Sequence, residues 1–279
     1  MLHFLSRLQW LALIGFAGVF SNNEHLRLFF LFWLFSLLDM FSPLRSIFDN
    51  LKFLGQNLGM LLGILVVHLQ FRFKLPSVDT YTSEIKYSLP FDGKWFVVNG
   101  GIDRETSHSW TLCSQRYAYD FFMLNEKDKS YTGEYKVLSS YLAYRQAVLA
   151  PADGVVVEVF DGYGNTPIVG IGKADCKAPD VRGNHIVIQH APNEYSMIAH
   201  LYPGSVCVKV GDTVVRGQQI AQCGNSGNTS EPHIHFQIQN KKSFAFSAGL
   251  PIRFQKILID GAVKQEAYIV NGQFVENAE

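Results

Sequence analysis

Two histidines near the end of the chain are spaced in a way that could support metal or acid–base chemistry. His233 and His235 follow a Gly/Asn/Ser-rich turn at residues 224–230 and stand in an alternating apolar pattern. Because successive strand side chains point to opposite faces, we expect both imidazoles on one face, followed there by Gln237. An imidazole can bind a metal ion or transfer a proton near neutral pH. Taken alone, the same pattern is also typical of an exposed strand with two surface histidines.

A carboxylate and a third histidine extend this set. Asp120 interrupts the otherwise apolar and aromatic run 115–124, and His200 ends the run 195–200. An unpaired buried carboxylate is costly, so we expect a cation or hydrogen-bond donors beside Asp120. Two histidines and one carboxylate with an open fourth position are a recurring ligand set of catalytic zinc sites, whereas sites for hard metals are richer in oxygen ligands. The residue types therefore favour a zinc site.

The composition narrows the class of protein. Lys and Arg together number 24, as do Asp and Glu, so nothing indicates a basic surface for nucleic acid. The length of 279 residues suits one large or two modest domains. Four cysteines lack paired CxxC spacing, which leaves open either two disulfides or free, part-buried thiols. These cysteines are Cys113, Cys176, Cys207 and Cys223.

Three apolar runs at the amino end predict a membrane region. They are Leu8–Phe20, Leu28–Leu38 and Leu54–Phe71, and a single spanning helix needs about 20 apolar residues. The first two runs are marginal as spans and the third is better, so residues 1–75 are predicted to form two to three hydrophobic helices that contact membrane lipid. No small-x-small cleavage pattern precedes Ser21, which argues against a cleaved signal peptide. Three crossings from an internal amino terminus would place the rest of the chain outside the cytoplasm, although the flanking charges point both ways.

The remainder of the chain is predicted to be all-β. After Leu89, short alternating segments are punctuated by Gly, Pro, Asn and Asp. We assign residues 76–98 to a linker and first strand, 99–250 to the main β domain and 251–279 to a carboxy-terminal strand extension. The segment 206–221 also resembles the half-barrel of biotinyl and lipoyl carrier domains, but the attachment-lysine hairpin of those domains is absent. That segment is predicted to contain two short strands joined through Gly211-Asp212.

Short motifs stand in one consistent order at residues 117–121, 150–154, 183–190, 199–201, 210–212, 217–218, 224–228 and 232–236. Together they resemble the M23 family of zinc metallopeptidases, the lysostaphin/LytM-type cell-wall endopeptidases. The resemblance covers residues 99 to about 238, about half of the chain, and implies a mostly antiparallel lysostaphin/LytM-like β-sheet catalytic domain. It also implies that Asp120 and His235 are zinc ligands and that His200 and His233 are the two active-site histidines that do not bind the metal.

The first zinc ligand departs from the family pattern. The usual histidine four residues before the aspartate is replaced by Arg116, which cannot bind a cation. His108, in a longer preceding loop, is the nearest upstream histidine and is our candidate for the ligand. His185 and His190 compete for such roles, but we interpret both as structural or hydrogen-bonded. Asp153 is interpreted as a turn former whose carboxylate bonds its own backbone.

The resemblance implies a membrane-anchored zinc endopeptidase that hydrolyses stem peptides or cross-bridges of peptidoglycan, with its catalytic domain outside the cytoplasmic membrane. No helical HExxH glutamate is present, so His200 and His233 are the candidates for general acid–base work. The alternative is a catalytically inactive M23-like module that activates another cell-wall hydrolase. Replacement of a ligand by Arg116 favours that alternative, whereas retention of the other site residues favours an enzyme.

Overall fold

The computed structural model describes residues 11, 14, 25 and 47–278. The first two predicted apolar spans fall almost entirely outside these residues, so their crossings stay predictions. The chain divides into two compact units, Met1–Gln56 and Asn57–Glu279. The second unit contains the second half of a long helix and the strands described below.

Helix α1, Ile47–Gln70, accounts for the third apolar run. Asp49 lies in its first turn, where a negative charge complements the helix dipole. Within the described part of the chain, Leu51–Gln70 is the one helix that is long and apolar enough to cross a membrane, and a single such helix is weak evidence for a span. One face of α1 leaves large side chains about half exposed to solvent. These residues are Leu58, Leu61, Leu62, Leu65 and Leu69.

The second half of α1 packs closely against the β domain. A Cβ placed on Gly63 would lie 1.9 Å from the carbonyl oxygen of Ala245. The helix therefore approaches the backbone at Ala245 more closely than a residue with a side chain at position 63 would permit. One turn later, Val67 is fully buried in a small cluster with Cys113 and Ala248. This part of α1 therefore belongs to the packing of the β domain.

We expect Gly63→Ala to weaken this packing. Alanine favours an isolated helix over glycine by about 1 kcal/mol, but the clash with a backbone carbonyl forces α1 to move, and overpacking costs about 1–3 kcal/mol. Thermal unfolding should therefore occur at a lower temperature. Gly55→Ala is the matched control, since no described residue lies within 4 Å of a Cβ placed there. An unchanged or raised unfolding temperature for Gly63→Ala would contradict the observed contact.

In the part of the chain that the structure describes, twelve strands follow, in one large and one small sheet. The ten-stranded sheet has the order β11-β10-β12-β1-β2-β9-β6-β5-β4-β7, and β3 pairs with β8 separately. All pairs of named strands are antiparallel, which confirms the predicted fold class of a mostly antiparallel β domain preceded by a helix. The strands are β1 Trp95–Asn99, β2 Tyr119–Phe122, β3 Ala147–Leu149, β4 Gly154–Phe160, β5 His185–Ala191, β6 Glu194–Ala199, β7 Thr213–Val214, β8 Gln219–Gln222, β9 Ile234–Gln239, β10 Phe254–Ile259, β11 Ala262–Ala267 and β12 Phe274–Asn277.

The two faces of β9 have different surroundings. Ile234, Phe236 and Ile238 belong to the main hydrophobic core, together with side chains from both sheets. The opposite face of β9 carries His235 and the glutamines that follow it, and every residue of the strand is buried. The predicted alternation is therefore correct, but the polar face of this strand is buried and not solvated.

Two predictions about the rest of the domain can be compared with the structure. All four cysteines are free. Of the two alternatives left open by the sequence, the structure therefore has free thiols and not disulfides. The prediction of a strand on each side of Gly211-Asp212 is wrong, because only β7 after the turn forms. Before the turn, carboxylates take the backbone N–H groups that a strand would use: Asp161 accepts from Val206, and Asp212 accepts from Lys209.

Candidate metal centre and active site

The pairing of β2 with β9 places a carboxylate opposite an imidazole. Asp120 and His235 are direct register partners in this antiparallel pair. His235 donates from Nδ1 to Oδ1 of Asp120 over 2.8 Å, and both side chains are buried. Two residues that are 115 positions apart in sequence are thus held together by the sheet itself.

His108 approaches the same pair from a loop. Its Nε2 lies 3.7 Å from Oδ2 of Asp120, and its ring stands at 88° to that of His235, with 6.1 Å between ring centroids. One ligand atom from each of these three residues lies within 4.8 Å of the other two. Among the described residues, these three side chains form the group that lies close enough together to hold a metal ion.

The loop that carries His108 is fixed at both ends. Asp103 accepts the backbone N–H of Thr106 through its carboxylate, and the carbonyl of Thr106 accepts the N–H of Gly100. At the other end, the guanidinium of Arg116 stacks over the ring of Trp110 at 4.6 Å, and its Nε donates to the carbonyl of Trp110. Arg116 therefore stabilises the loop that carries His108.

Asp120 is held ionised by its neighbours. Burial alone would raise its pKa, but the hydrogen bond from His235 and the positive charge of that ring lower the pKa of Asp120 well below the usual range. Asn99 Nδ2 also donates to Oδ2 of Asp120 over 3.0 Å. A register shift between β1 and β2 brings Asn99 opposite Asp120. The carboxylate thus faces this cluster as an anion with its orientation fixed on two sides.

Two further histidines lie against the cluster with a common orientation. The rings of His200 and His233 are 4.6 Å apart, and Nε2 of His233 lies 3.6 Å from Oδ1 of Asp120. Each ring uses Nδ1 to donate to a backbone carbonyl over 2.7 Å, His200 to that of Ser226 and His233 to that of Glu231. Because a carbonyl can only accept, Nδ1 carries the proton and Nε2 keeps a lone pair in each neutral ring. Burial lowers the pKa of both histidines, which favours this neutral form.

The backbone at His200 is unusual and is held by its surroundings. Its φ of +63° lies in the left-handed region, which is uncommon for a residue other than glycine. The N–H of His200 donates to the carbonyl of Arg182, while Ser226 Oγ accepts from the N–H of Asn184 and donates to the carbonyl of Leu201. These bonds join three loops around the histidine and stabilise its conformation.

A charged cluster holds the segment that contains Arg182. Oε1 of Glu158 accepts from Arg182 at 2.9 Å and from His185 Nε2 at 3.0 Å, and Asp180 accepts a second guanidinium nitrogen at 2.9 Å. Lys242 Nζ lies 3.8 Å from the same glutamate. The hydrogen bond from His185 is the largest cause that lowers the pKa of Glu158, to about 2. Glu158 is thus an anion that contacts three neighbours, Arg182, His185 and Lys242.

The low pKa of Glu158 predicts a pH-dependent contribution to stability. Its folded pKa of about 2 lies below the ordinary 4.5, so the stabilisation is fully present above pH 4.5 and is lost as the pH falls towards 2. We expect Glu158→Gln to lower the free energy of unfolding at pH 7 and to converge with the wild type in acid. Urea unfolding at pH 7, 4.5 and 3 measures the difference. A gap that widens on acidification would contradict this assignment.

The remaining candidate residues have other partners. His185 donates or accepts at both ring nitrogens, with the carbonyl of Gly183 and with Glu158. His190 likewise contacts the carbonyl of Asp153 and Oγ of Ser196. The expectation for Asp153 is wrong: its carboxylate accepts the backbone N–H of Arg216 on another turn and not its own backbone.

Sequence reasoning gave no role to three residues that orient the site. Gln237 accepts from His235 Nε2 at 3.1 Å, Asn99 donates to Asp120, and Ser226 supplies the carbonyl that orients His200. The position of Gln237, two residues after His235 on the same strand face, was a usable signal. Nothing comparable marks Asn99 or Ser226, because their contacts depend on a register shift and on a turn.

Segments of this chain are similar in sequence to a known peptidase family and to characterised enzymes. Residues 138–246 match the model of peptidase family M23, a segment that contains three of the five site residues and begins after His108 and Asp120. The peptidoglycan DD-endopeptidases ShyB and ShyA of Vibrio cholerae serotype O1 are 39% and 38% identical to this chain over 72 residues. The matched segment is 25% of this chain and 16% of either relative. The chain therefore spans only a small part of the length of these relatives.

The chain is also similar to parts of solved structures. A zinc-containing peptidase from Vibrio cholerae is 21% identical with a TM-score of 0.35, and the comparison covers 59% of this chain and 39% of that one. The catalytic domain of lysostaphin from Staphylococcus simulans is 23% identical with a TM-score of 0.33, covering 57% and 88% respectively. Both scores are below 0.5, so the similarity to peptidase family M23 rests on the sequence matches. In this chain, the segment that matches the model of that family is residues 138–246.

Proposed function

We propose that this chain is a membrane-anchored zinc metalloendopeptidase that hydrolyses peptide bonds in the stem peptides or cross-bridges of peptidoglycan. The observation that carries the proposal is the convergence of one ligand atom each from His108, Asp120 and His235 within 4.8 Å. The matches to peptidoglycan DD-endopeptidases support the substrate class. These matches cover 25% of this chain, and the proposal extends from that segment to the activity of the whole chain.

The donor set fits a divalent zinc ion. Three ligand atoms on one tetrahedral zinc ion would lie about 3.3 Å apart, so the separations in this group, which reach up to 4.8 Å, would need to change by about 1.5 Å or less. Two imidazoles and one carboxylate are a ligand combination of catalytic zinc sites, and it leaves a fourth position open. When bound, zinc supplies Lewis acidity that polarises a scissile carbonyl and makes water a stronger nucleophile near neutral pH.

The chain's own residues supply the proton transfers. His200 and His233 each present an Nε2 lone pair, because their Nδ1 protons are donated to backbone carbonyls. Either ring can therefore accept a proton from an attacking water and return it to the leaving amine, and the imidazolium formed in between stabilises negative charge on the substrate. Burial keeps both rings largely neutral before the reaction, which is the state that a general base needs.

We place the membrane anchor in residues 1–75 and the catalytic domain outside the cytoplasm, with residues 76–98, 99–250 and 251–279 as the linker, the peptidase domain and the strand extension. The exposed leucine face of α1 supports contact with lipid, whereas its Gly63 side packs on the domain. Alkaline extraction of membranes and protease accessibility in intact cells test this placement. Release of the chain by alkali, or protection of the domain from external protease, would contradict it.

The activity is tested with the full chain purified in detergent. We expect about one zinc per chain by atomic emission, and new peptide termini in purified peptidoglycan identified by mass spectrometry. Removal of zinc with a chelator should abolish hydrolysis, and readdition should restore it. A chain without zinc that does not hydrolyse peptidoglycan but stimulates another cell-wall hydrolase would instead support the inactive binding module.

A further inference from the structure

The polar face of β9 continues beyond His235 with two glutamines. Gln237 and Gln239 follow at every second residue and are completely buried. The amide nitrogen of Gln237 donates to Oε1 of Gln239 over 2.6 Å, and Oε1 of Gln237 accepts from Nε2 of His235 over 3.1 Å. Three successive side chains on one strand face are thus connected in a single hydrogen-bonded row, which we call the amide relay.

The orientation of the amide relay is set at its far end. The amide nitrogen of Gln239 lies 2.7 Å from the carbonyl oxygen of Lys241 and 3.1 Å from that of Lys242. Carbonyl oxygens can only accept, so the NH₂ group of Gln239 must face them and its oxygen must face Gln237. By the same reasoning, the NH₂ group of Gln237 faces Gln239, and its oxygen faces His235.

This forced orientation decides which ring nitrogen of His235 keeps its hydrogen when a metal ion binds. Because Oε1 of Gln237 can only accept, Nε2 of His235 carries a hydrogen, and Nδ1, which donates its proton to Asp120 in the metal-free chain, is the nitrogen at which a metal ion would replace that proton. Nδ1 is also the atom that lies 2.8 Å from Oδ1 of Asp120. We propose that Gln237, held by Gln239, is a positioning residue that fixes the ring orientation and the metal-binding nitrogen of His235. This inference rests on the proposed zinc site.

Glutamine suits this position better than a carboxylate. It accepts from His235 and donates to Gln239 with one uncharged group, whereas a glutamate would set two oxygens against each other at 2.6 Å in a fully buried row. Partners of this kind, one shell beyond the ligands, usually change metal affinity by about 10- to 100-fold when they are removed. The amide relay should therefore be detectable in zinc affinity.

Two double variants isolate the acceptor for His235. Both carry Gln239→Met, which removes the facing oxygen; one adds Gln237→Glu, which keeps an acceptor, and the other adds Gln237→Met, which does not. Zinc dissociation constants of the full chains are measured by competition with a fluorescent chelator. We expect the Met/Met variant to bind zinc about 10- to 100-fold more weakly than the wild type and the Glu/Met variant to recover most of that loss. Gln255→Met in β10 is the matched control and should bind zinc like the wild type.

Long-range ¹H–¹⁵N spectra of the wild-type imidazoles test the relay without any variant. We expect a slowly exchanging proton on Nε2 of His235, with and without zinc, and metal-dependent shifts at Nδ1. A proton-free Nε2, or equal zinc affinity of the two double variants, would overturn the relay. A wild-type chain that binds no zinc would overturn the proposed metal site, while the spectrum of the metal-free chain would still decide the relay.

Discussion

His108→Ala is expected to reduce bound zinc from about one per chain to well below that and to abolish hydrolysis of peptidoglycan. The physical reason is the ligand count, since only Asp120 and His235 would remain on the protein, and catalytic zinc sites use three protein ligands. Zinc content by atomic emission, measured on the full chain in detergent, checks the first effect. Release of peptide fragments checks the second.

Ser109→Ala is the matched control for this prediction. It changes the same loop without removing a metal-binding atom, so zinc and activity should stay at the wild-type level. Retention of stoichiometric zinc by His108→Ala would show that another residue completes the site. Loss of zinc in both variants would attribute the effect to the loop and not to the imidazole.

His200→Ala is expected to separate metal binding from turnover. Its ring supplies a lone pair at Nε2 but is absent from the group of three candidate ligands, so zinc should remain near one per chain. Loss of a general acid–base group typically lowers the rate by about 10²- to 10⁴-fold. The measurements are zinc content and kcat on isolated peptidoglycan peptides.

His233→Ala serves as the comparison for His200→Ala. It removes the other neutral imidazole and should also leave the three ligands in place while lowering kcat. If His200→Ala lost its zinc while His108→Ala kept it, the ligand and acid–base roles would have to be exchanged. Wild-type turnover of His200→Ala would remove it from the mechanism.

Much of the fold and part of the site are readable from local pattern. The alternation around His233 and His235 predicts a strand with both on one face, and a carboxylate inside the apolar run at Asp120 predicts a partner for it. Turn residues and short alternating segments predict an antiparallel β domain. These features depend on the period of a strand and on the cost of burying charge, both of which act over a few residues.

Other features depend on how distant segments meet. His108 lies 12 residues before Asp120 in an irregular loop, and its approach depends on the stacking of Arg116 on Trp110. The partnership of Asn99 with Asp120 depends on a register shift between strands. The absence of a strand before Gly211 results from carboxylates that take its backbone donors. None of these contacts follows from sequence period, because each depends on the position of an individual side chain or on a strand register that the alternation of residues does not specify.

Anomalous diffraction at the zinc absorption edge, from crystals of the zinc-loaded chain, tests the metal centre most directly. We predict a single strong peak bonded to His108, Asp120 and Nδ1 of His235 at about 2.0–2.2 Å, with His200 and His233 beyond bonding distance. A zinc-loaded crystal with no peak at this place, or with a peak whose ligands do not include His108, would contradict the account.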